Sequence, residues 1–483
     1  MTTRPTLTKP TMHLLTLLAP LLTPLLAALL GAGCAPLGPD YQRPTLDLPA
    51  DYPDNSAAVT AAQLRADWWA LYQDATLTNL IAAAQSRNTD IRLASAQLDE
   101  AEAALREVDA NFFPQVDGNF TNSQSQVSRL TALPNVQPLI RPDRRLAAST
   151  SFEIDFWGRL RRTTEAARAQ ALSSRYARDV VALTLAGTTA QVYFALRSID
   201  AQLAVSRTTY KAREESLQLT RARVGGGIAS PLETAQALGA LADVSIQVKE
   251  LERQRRLLEH QLGQLTGQLS LKLAPGSLDT LPVPPVPPAG LPSALLERRP
   301  DVQVAEQNLV ANNARIGVAK AAMFPSISLT GTLGSQSGAF SNLLLAGSSI
   351  WTLGFGLALP IFDAGRLAAR AEQAEARQRQ SLAGYQKAVE SAFRETADAL
   401  SNLDLTTATE ADLQVRVAAA RDALDIARTR FGAGYSGFLE VLDAQRSAND
   451  AELALVRNRQ ARLAYSVDLM KALGGGWAPQ AKP

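Results

Sequence analysis

The sequence predicts a mainly α-helical chain with a smaller β portion, folded as an internal structural repeat. Three observations carry that prediction. Two halves of the chain match at an offset of 207 residues. Each half holds a stretch of about 65 residues with no proline and a sevenfold apolar spacing. Ahead of each stretch lie short segments in which polar and apolar residues alternate, the period of a strand.

The repeat is read from paired residues. Gly158-Arg159-Leu160 matches Gly365-Arg366-Leu367, Arg223, Gly225 and Gly227 match Arg430, Gly432 and Gly434, and Leu232-Glu233 matches Leu439-Glu440. A constant offset across some 75 residues means helices of equal length between the same end signals. Between residues 159 and 224, and again between 366 and 431, there is no proline and a single glycine, Gly187 and Gly384. Ala, Leu, Arg, Glu and Gln dominate, all good helix formers. Leu185, Val192 and Ile199 are spaced by seven, as are Val417, Leu424 and Phe431, which is a coiled-coil seam. At 1.5 Å per residue each helix spans roughly 95 Å. Each ends in a glycine turn, and a second helix follows, at about 231–268 and 438–473. The result is two long helical hairpins.

Phe112-Phe113-Pro114 and Met323-Phe324-Pro325 stop the helices that come before the strands, because proline cannot continue them. Then Val116, Gly118 and Phe120, later Phe152, Ile154 and Phe156, share one phase in the first half. Ile327, Leu329, Gly331 and Leu333, then the odd residues from Trp351 to Ile361, do so in the second. Four strands of about ten residues suit a tilted crossing of a bilayer, and equally an ordinary half-buried sheet. Four strands cannot close a membrane barrel, since the smallest have about eight. If they span a membrane, several chains share one barrel.

Composition excludes other classes. The 483 residues are 46% hydrophobic and 19% charged, with a net charge of +2. So balanced a chain lacks the basic excess of a nucleic-acid binder. The only histidines are His13 and His260; they build neither a His-rich metal site nor a Ser-His-Asp triad, and His260 reads as a surface or packing residue. No catalytic residue, metal or cofactor is indicated. The single cysteine, Cys34, leaves no intrachain disulfide.

At the N-terminus, Arg4 and Lys9 precede an apolar run at 14–30 and the small residues Gly31-Ala32-Gly33 before Cys34. These are the zones of an export signal. A transmembrane helix is the alternative, weakened by Pro20 and Pro24. Small residues before a lone cysteine resemble a bacterial lipoprotein cleavage site, although Leu30 stands one position further back than usual. The reading is a signal peptide at 1–33 and lipid on Cys34, with Ala35 next in the mature chain; by the lipoprotein sorting rule the destination is the outer membrane. The chain then divides into an N-terminal segment at 34–111, a first repeat at 112–274, a Pro-rich linker at 275–293, a second repeat at 294–474 and a tail at 475–483.

Short motifs in a fixed order complete the picture: Gly38-Pro39-Asp40-Tyr41 with Arg43-Pro44, Trp68-Trp69, Asp155-Phe156-Trp157-Gly158-Arg159, Glu297-Arg298-Arg299-Pro300-Asp301, Pro360-Ile361-Phe362-Asp363-Ala364-Gly365, and Glu440-Val441-Leu442-Asp443-Ala444-Gln445. With them the chain resembles the TolC-type outer-membrane efflux family, in its lipoprotein (NodT or OprM-like) branch, over nearly all of its mature length. The resemblance implies a homotrimeric export duct: twelve strands in one outer-membrane barrel, twelve long helices in a periplasmic α-barrel, and a linker in the equatorial collar. It implies a periplasmic membrane-fusion adaptor and an inner-membrane efflux pump as partners, beside outer-membrane lipid. It carries the periplasmic gate onto Leu439, Glu440 and Asp443, and adaptor docking onto the turns with Gly225, Gly227, Gly432 and Gly434. Glu440 and Asp443 are three apart on one helix face, where three copies form rings that attract cations; an acidic pair favoured by the helix dipole reads the same way. A solid coiled-coil rod, a structural lipoprotein without a channel, is the alternative.

Overall fold

The computed structural model describes residues 36–47, 49, 66–126, 128, 140–278, 281–283 and 298–475. Cys34, His13, the signal segment, most of the linker and the tail beyond 475 lie outside the described residues. In chain order the elements are α1 (Ala75–Arg87), α2 (Thr89–Asp109), β1 (Gln115–Gln126), β2 (Ile140–Ile154), α3 (Arg159–Gly225), α4 (Pro231–Leu265), α5 (Pro300–Ala321), β3 (Ser326–Ser337), β4 (Ser349–Ala358), α6 (Arg366–Gly432) and α7 (Phe438–Ala472). The long helices α3 and α6 have 67 residues each, and α4 and α7 have 35 each. All four starts and ends obey the offset of 207.

The boundaries have local causes. Gly158 (φ +77°) and Gly365 (φ +84°) stand directly before the two long helices in the left-handed region, which costs glycine nothing. Asp155 then accepts the Leu160 and Arg161 amides, and Asp363 the Gly365 and Leu367 amides, so both helix starts are capped from the preceding loop. That is why Phe156 falls outside β2: residues 155–158 are spent on the turn. Leu359 and Ile361 likewise fall outside β4, where Pro360 removes a ladder donor. Helix α4 stops at Leu265, short of the expected 268, because Gly267 turns the chain at φ +67°.

Contacts group the described residues into two compact units, which cut across the repeat boundaries. The first draws its described residues from 36–44, 99–172 and 306–384. It contains one antiparallel sheet of order β1-β2-β3-β4, so the two hairpins meet through β2 and β3, one from each repeat. The register keeps like with like. Phe152 pairs with Leu329 and Leu329 with Phe355; Ala148 pairs with Leu333 and Leu333 with Trp351; Ile154 pairs with Ile327 and Ile327 with Leu357. Cross-strand partners share a face, so one face is an apolar surface from Phe120 to Leu357. Its members Leu333, Trp351, Leu353 and Phe355 are largely exposed. The opposite face carries Asn119, Ser149, Ser151, Thr330, Thr332, Thr352, Gly354 and Gly356.

The second unit draws its described residues from 45–98, 173–305 and 385–475. Its main core joins Trp68 and Tyr72, Leu77 and Ile81 of α1, Ala190, Tyr193, Phe194 and Leu196 of α3, Leu262 of α4, and Leu463 and Val467 of α7. The Tyr72 hydroxyl lies 2.6 Å from the Ser466 hydroxyl. Helices α3 and α4 close on each other through Ile199, Leu203 and Leu251. One window of α3 is apolar enough to cross a bilayer, with mean hydropathy 1.3, but half of it is buried within the protein, as in a core helix.

Candidate functional site

The sequence motifs converge on the turns that end the long helices. At the first, the Gly227 amide bonds the Val224 carbonyl and the Ile228 amide the Arg223 carbonyl; at the second, Gly434 bonds Phe431 and Tyr435 bonds Arg430. Both are the paired bonds of a Schellman cap, with the left-handed glycine at Gly227 (φ +70°) and Gly434 (φ +77°). Gly225 and Gly432 close their helices without positive φ, and a Cβ added at either would meet nothing. The four glycines therefore have two different jobs. Just beyond the caps, Ile228 and Leu232 in the first turn, and Tyr435 and Leu439 in the second, are largely exposed.

Helix α7 starts at Phe438, and its first turns have two faces. Phe438, Val441 and Gln445 are buried; Leu439, Glu440 and Asp443 are exposed. The three predicted gate residues thus share the side turned away from their own chain. The buried side packs into a tip cluster with Leu217 of α3, Ala237 of α4 and Phe431 of α6. The Phe431 and Phe438 rings lie 5.5 Å apart, and the Arg223 guanidinium sits 4.5 Å over the Phe431 ring.

Sequence reasoning missed two features here. Arg446 pairs with Asp443 at 2.7 Å, one helical turn on, so the two acidic residues are not equivalent. A buried polar seam also runs above the tip. Ser206, Thr209, Arg213, Ser216 and Thr220 follow the three-and-four spacing of a coiled-coil seam along α3. Thr209 bonds Asn449 and Gln445 bonds Ser216, joining α3 to α7. Arg213 reaches the Ala240 carbonyl, and burial pushes its pKa down against the pull of Asp243 and Asp450. The signal was available: polar residues at heptad positions where the neighbouring seam is Leu, Ile and Val.

The family model for outer membrane efflux proteins matches residues 80–268 and 291–475. The toluene efflux pump outer membrane protein TtgC of Pseudomonas putida is 34% identical over 475 residues, covering 95% of this chain and 96% of that protein. SilC of Salmonella typhimurium, named a probable outer membrane lipoprotein, is 31% identical over 454 residues, covering 92% and 96%. Among solved structures, the outer-membrane channel OprN superposes with a TM-score of 0.86 at 29% identity, covering 92% of this chain and all of that one.

Proposed function

The chain belongs to the outer membrane efflux protein family and is an outer-membrane efflux channel; from that premise we propose that three copies form one passive export duct, gated at the α7 tips and anchored by lipid on Cys34. The observation that supports the trimer is the sheet. Four strands in linear order leave β1 and β4 without partners among the described residues, and an unpaired edge in lipid costs several kcal/mol per group. Three sheets side by side give the twelve strands that close a barrel, with the exposed apolar face toward lipid and the Ser, Thr and Gly face toward the lumen. A rod without a channel has no use for such a surface.

The lumen needs no reacting group: cargo passes, and selectivity resides in the gate. Leu439, Glu440 and Asp443 lie on one exposed side of α7, so a three-fold axis beyond that side gathers three copies of each. Leucine rings resist wetting and carboxylate rings favour cations. The glycine turns with Gly225, Gly227, Gly432 and Gly434, flanked by the exposed Ile228, Leu232 and Tyr435, suit the docking of a periplasmic adaptor, which connects the duct to an inner-membrane pump. The repeats at 112–274 and 294–474 with the linker between them are the organisation we assign.

Native mass spectrometry of the detergent-extracted protein is expected to give a trimer, and planar bilayers a small cation-preferring conductance that rises in Leu439→Ala. A stable, folded, membrane-inserted monomer contradicts the shared barrel.

A further inference from the structure

Residues 36–44 lie against the first unit in a groove made of buried polar groups and bare glycines. Arg162, with its side chain only 5% exposed, donates to the Leu37 and Gly38 carbonyls and pairs with Asp40 at 2.7 Å. Glu306, also 5% exposed, receives the fork of Arg43 at 2.8 Å on both oxygens and the Tyr41 hydroxyl at 3.1 Å. Asn313 donates to the Pro39 carbonyl at 2.8 Å, and the Leu37 amide to the Trp157 carbonyl at 3.1 Å. Close approach is enforced by glycine. Gly38 sits at φ +92°, where a Cβ would stand 2.6 Å from the Gly317 Cα; a Cβ on Gly317 would stand 2.5 Å from the Leu37 carbonyl oxygen. On Gly158 it would strike Pro36. A buried carboxylate and a buried guanidinium are costly unless paired. Here the Glu306 donors, and much of the Arg162 bonding, come from the segment itself.

We propose that this groove is a built receptor for the chain's own N-terminal segment, and that it fixes where the lipid on Cys34 enters the membrane. This rests on the reading that Cys34 is lipidated. Only Ala35 separates Cys34 from Pro36, so two chain steps span the gap, a reach of at most about 7 Å. Pro36 meets Gly158, at the corner where β2 passes into α3. That corner carries Phe156, Trp157 and Phe324, with Trp157 4.8 Å from each of the others and its indole N–H bonded to the Pro325 carbonyl at 2.8 Å. Apolar rings with a tied polar edge mark a membrane–water interface. The acyl chains therefore start at the rim of the sheet, and the groove carries their load into α3 and α5 without relying on the segment that follows residue 44.

The test is a specific protease site inserted between residues 55 and 60 of the full chain. After extraction in mild detergent and cleavage, the body is captured by a C-terminal tag and the retained fragment is weighed by mass spectrometry. The fragment is expected to stay with the wild-type body, and also in a Cys34→Ser chain exported with a cleavable signal, where no shared micelle holds it. Arg162→Ala with Glu306→Gln should lower retention more than tenfold. Asp40→Asn with Arg43→Ala, confined to the segment, should do the same if the groove variant fails to fold. Loss of the fragment from the wild-type and Cys34→Ser bodies, or full retention in the variants, overturns the receptor. A fragment that is retained but carries no acyl chains overturns the lipid reading and leaves the groove standing.

Discussion

Helices α3 and α6 have the same length, the same starting glycine and the same cap, yet they live in different surroundings. Along residues 185–200 of α3 nearly every position is buried. One offset further on, α6 buries a single stripe: Ala392, Thr396, Ala399 and Leu403, then Glu410 and Val417. The fold has kept the rod and changed what surrounds it. In the first repeat the N-terminal turn and α1 wrap the helix, through Trp68, Tyr72, Leu77 and Ile81. The second repeat has no such cover among the described residues, and Leu405, Val415 and Ile426 stand exposed. On the trimer proposed above, the bare apolar residues of α6 are the ones other copies would cover, whereas the wrapped α3 carries stability inside its own chain.

The sharpest way to break this comparison is to empty the same place in both repeats. Phe194 is fully buried against Tyr72, with ring centroids 4.9 Å apart, and its counterpart is Ser401. Phe194→Ala should cost about 3–5 kcal/mol. Ser401→Ala should stay within about 0.5 kcal/mol. Thermal unfolding in detergent, followed by circular dichroism, reads both; equal shifts would erase the asymmetry.

Each hairpin also holds an ion network, and these differ in depth. Asp200, its side chain 2% exposed, pairs with Arg197 at 3.0 Å and Arg255 at 2.7 Å. Glu410, 11% exposed, pairs with Arg459 at 3.0 Å and Arg462 at 2.7 Å. Asp200→Asn leaves the buried Arg197 without a carboxylate, while Arg255 keeps Glu259, and should cost about 3–5 kcal/mol. Glu410→Gln should cost about 2 kcal/mol. Burial opposes the Glu410 charge, but bonds from Arg462 and Arg459 outweigh it and hold its pKa below the ordinary carboxylate value. Its contribution is therefore complete above the unfolded pKa of about 4.3 and is lost as pH falls through the folded value. The melting difference between wild type and Glu410→Gln should be constant at neutral pH and shrink in acid; a difference that grows in acid refutes the assignment.

Smaller effects separate the paired glycines. Gly434→Ala places a Cβ at φ +77° and should destabilise by about 1 kcal/mol, whereas Gly432→Ala lies in a helix with open space and should stabilise by a few tenths. Gly227 and Gly225 should repeat that pair of signs. Differential scanning of the four variants checks it.

Local signals carried most of the fold. Glycine and proline fixed both hairpins to within three residues, because caps and breaks depend on near neighbours. Period-two alternation found all four strands, but it caught only the end of β2, whose residues 140–151 it missed, and it overran where Asp155 and Pro360 end β2 and β4. Pairings distant in sequence were invisible. Nothing near Glu306 announces Arg43, 263 residues away, and nothing in β2 or β3 announces that the two repeats join there. The proposed gate at Leu439, Glu440 and Asp443 came from resemblance, and the structure adds only that these residues share one exposed face of α7. Arg446 was readable in principle, three residues after Asp443, but whether such a pair forms depends on which rotamers the tip leaves open.

That pair sets up the finest contrast, within the tip itself. Glu440 and Asp443 look alike in sequence, yet Asp443 is bound to Arg446 at 2.7 Å while Glu440 stands exposed in the first turn. A carboxylate already matched by a guanidinium adds little net field to a pore; an unmatched one, repeated three times round an axis, adds much. Glu440→Gln should therefore lower cation selectivity, read as the reversal potential under a salt gradient in planar bilayers, by more than Asp443→Asn does. Arg446→Gln should raise it, because Asp443 is then released to the pore. Glu233→Gln, the counterpart in the first repeat, should leave it unchanged, since Glu233 is half-buried within its own hairpin rather than turned outward like Glu440. If Glu233→Gln and Glu440→Gln shift the reversal potential equally, the two hairpin tips line the pore alike and the gate does not belong to the second repeat alone.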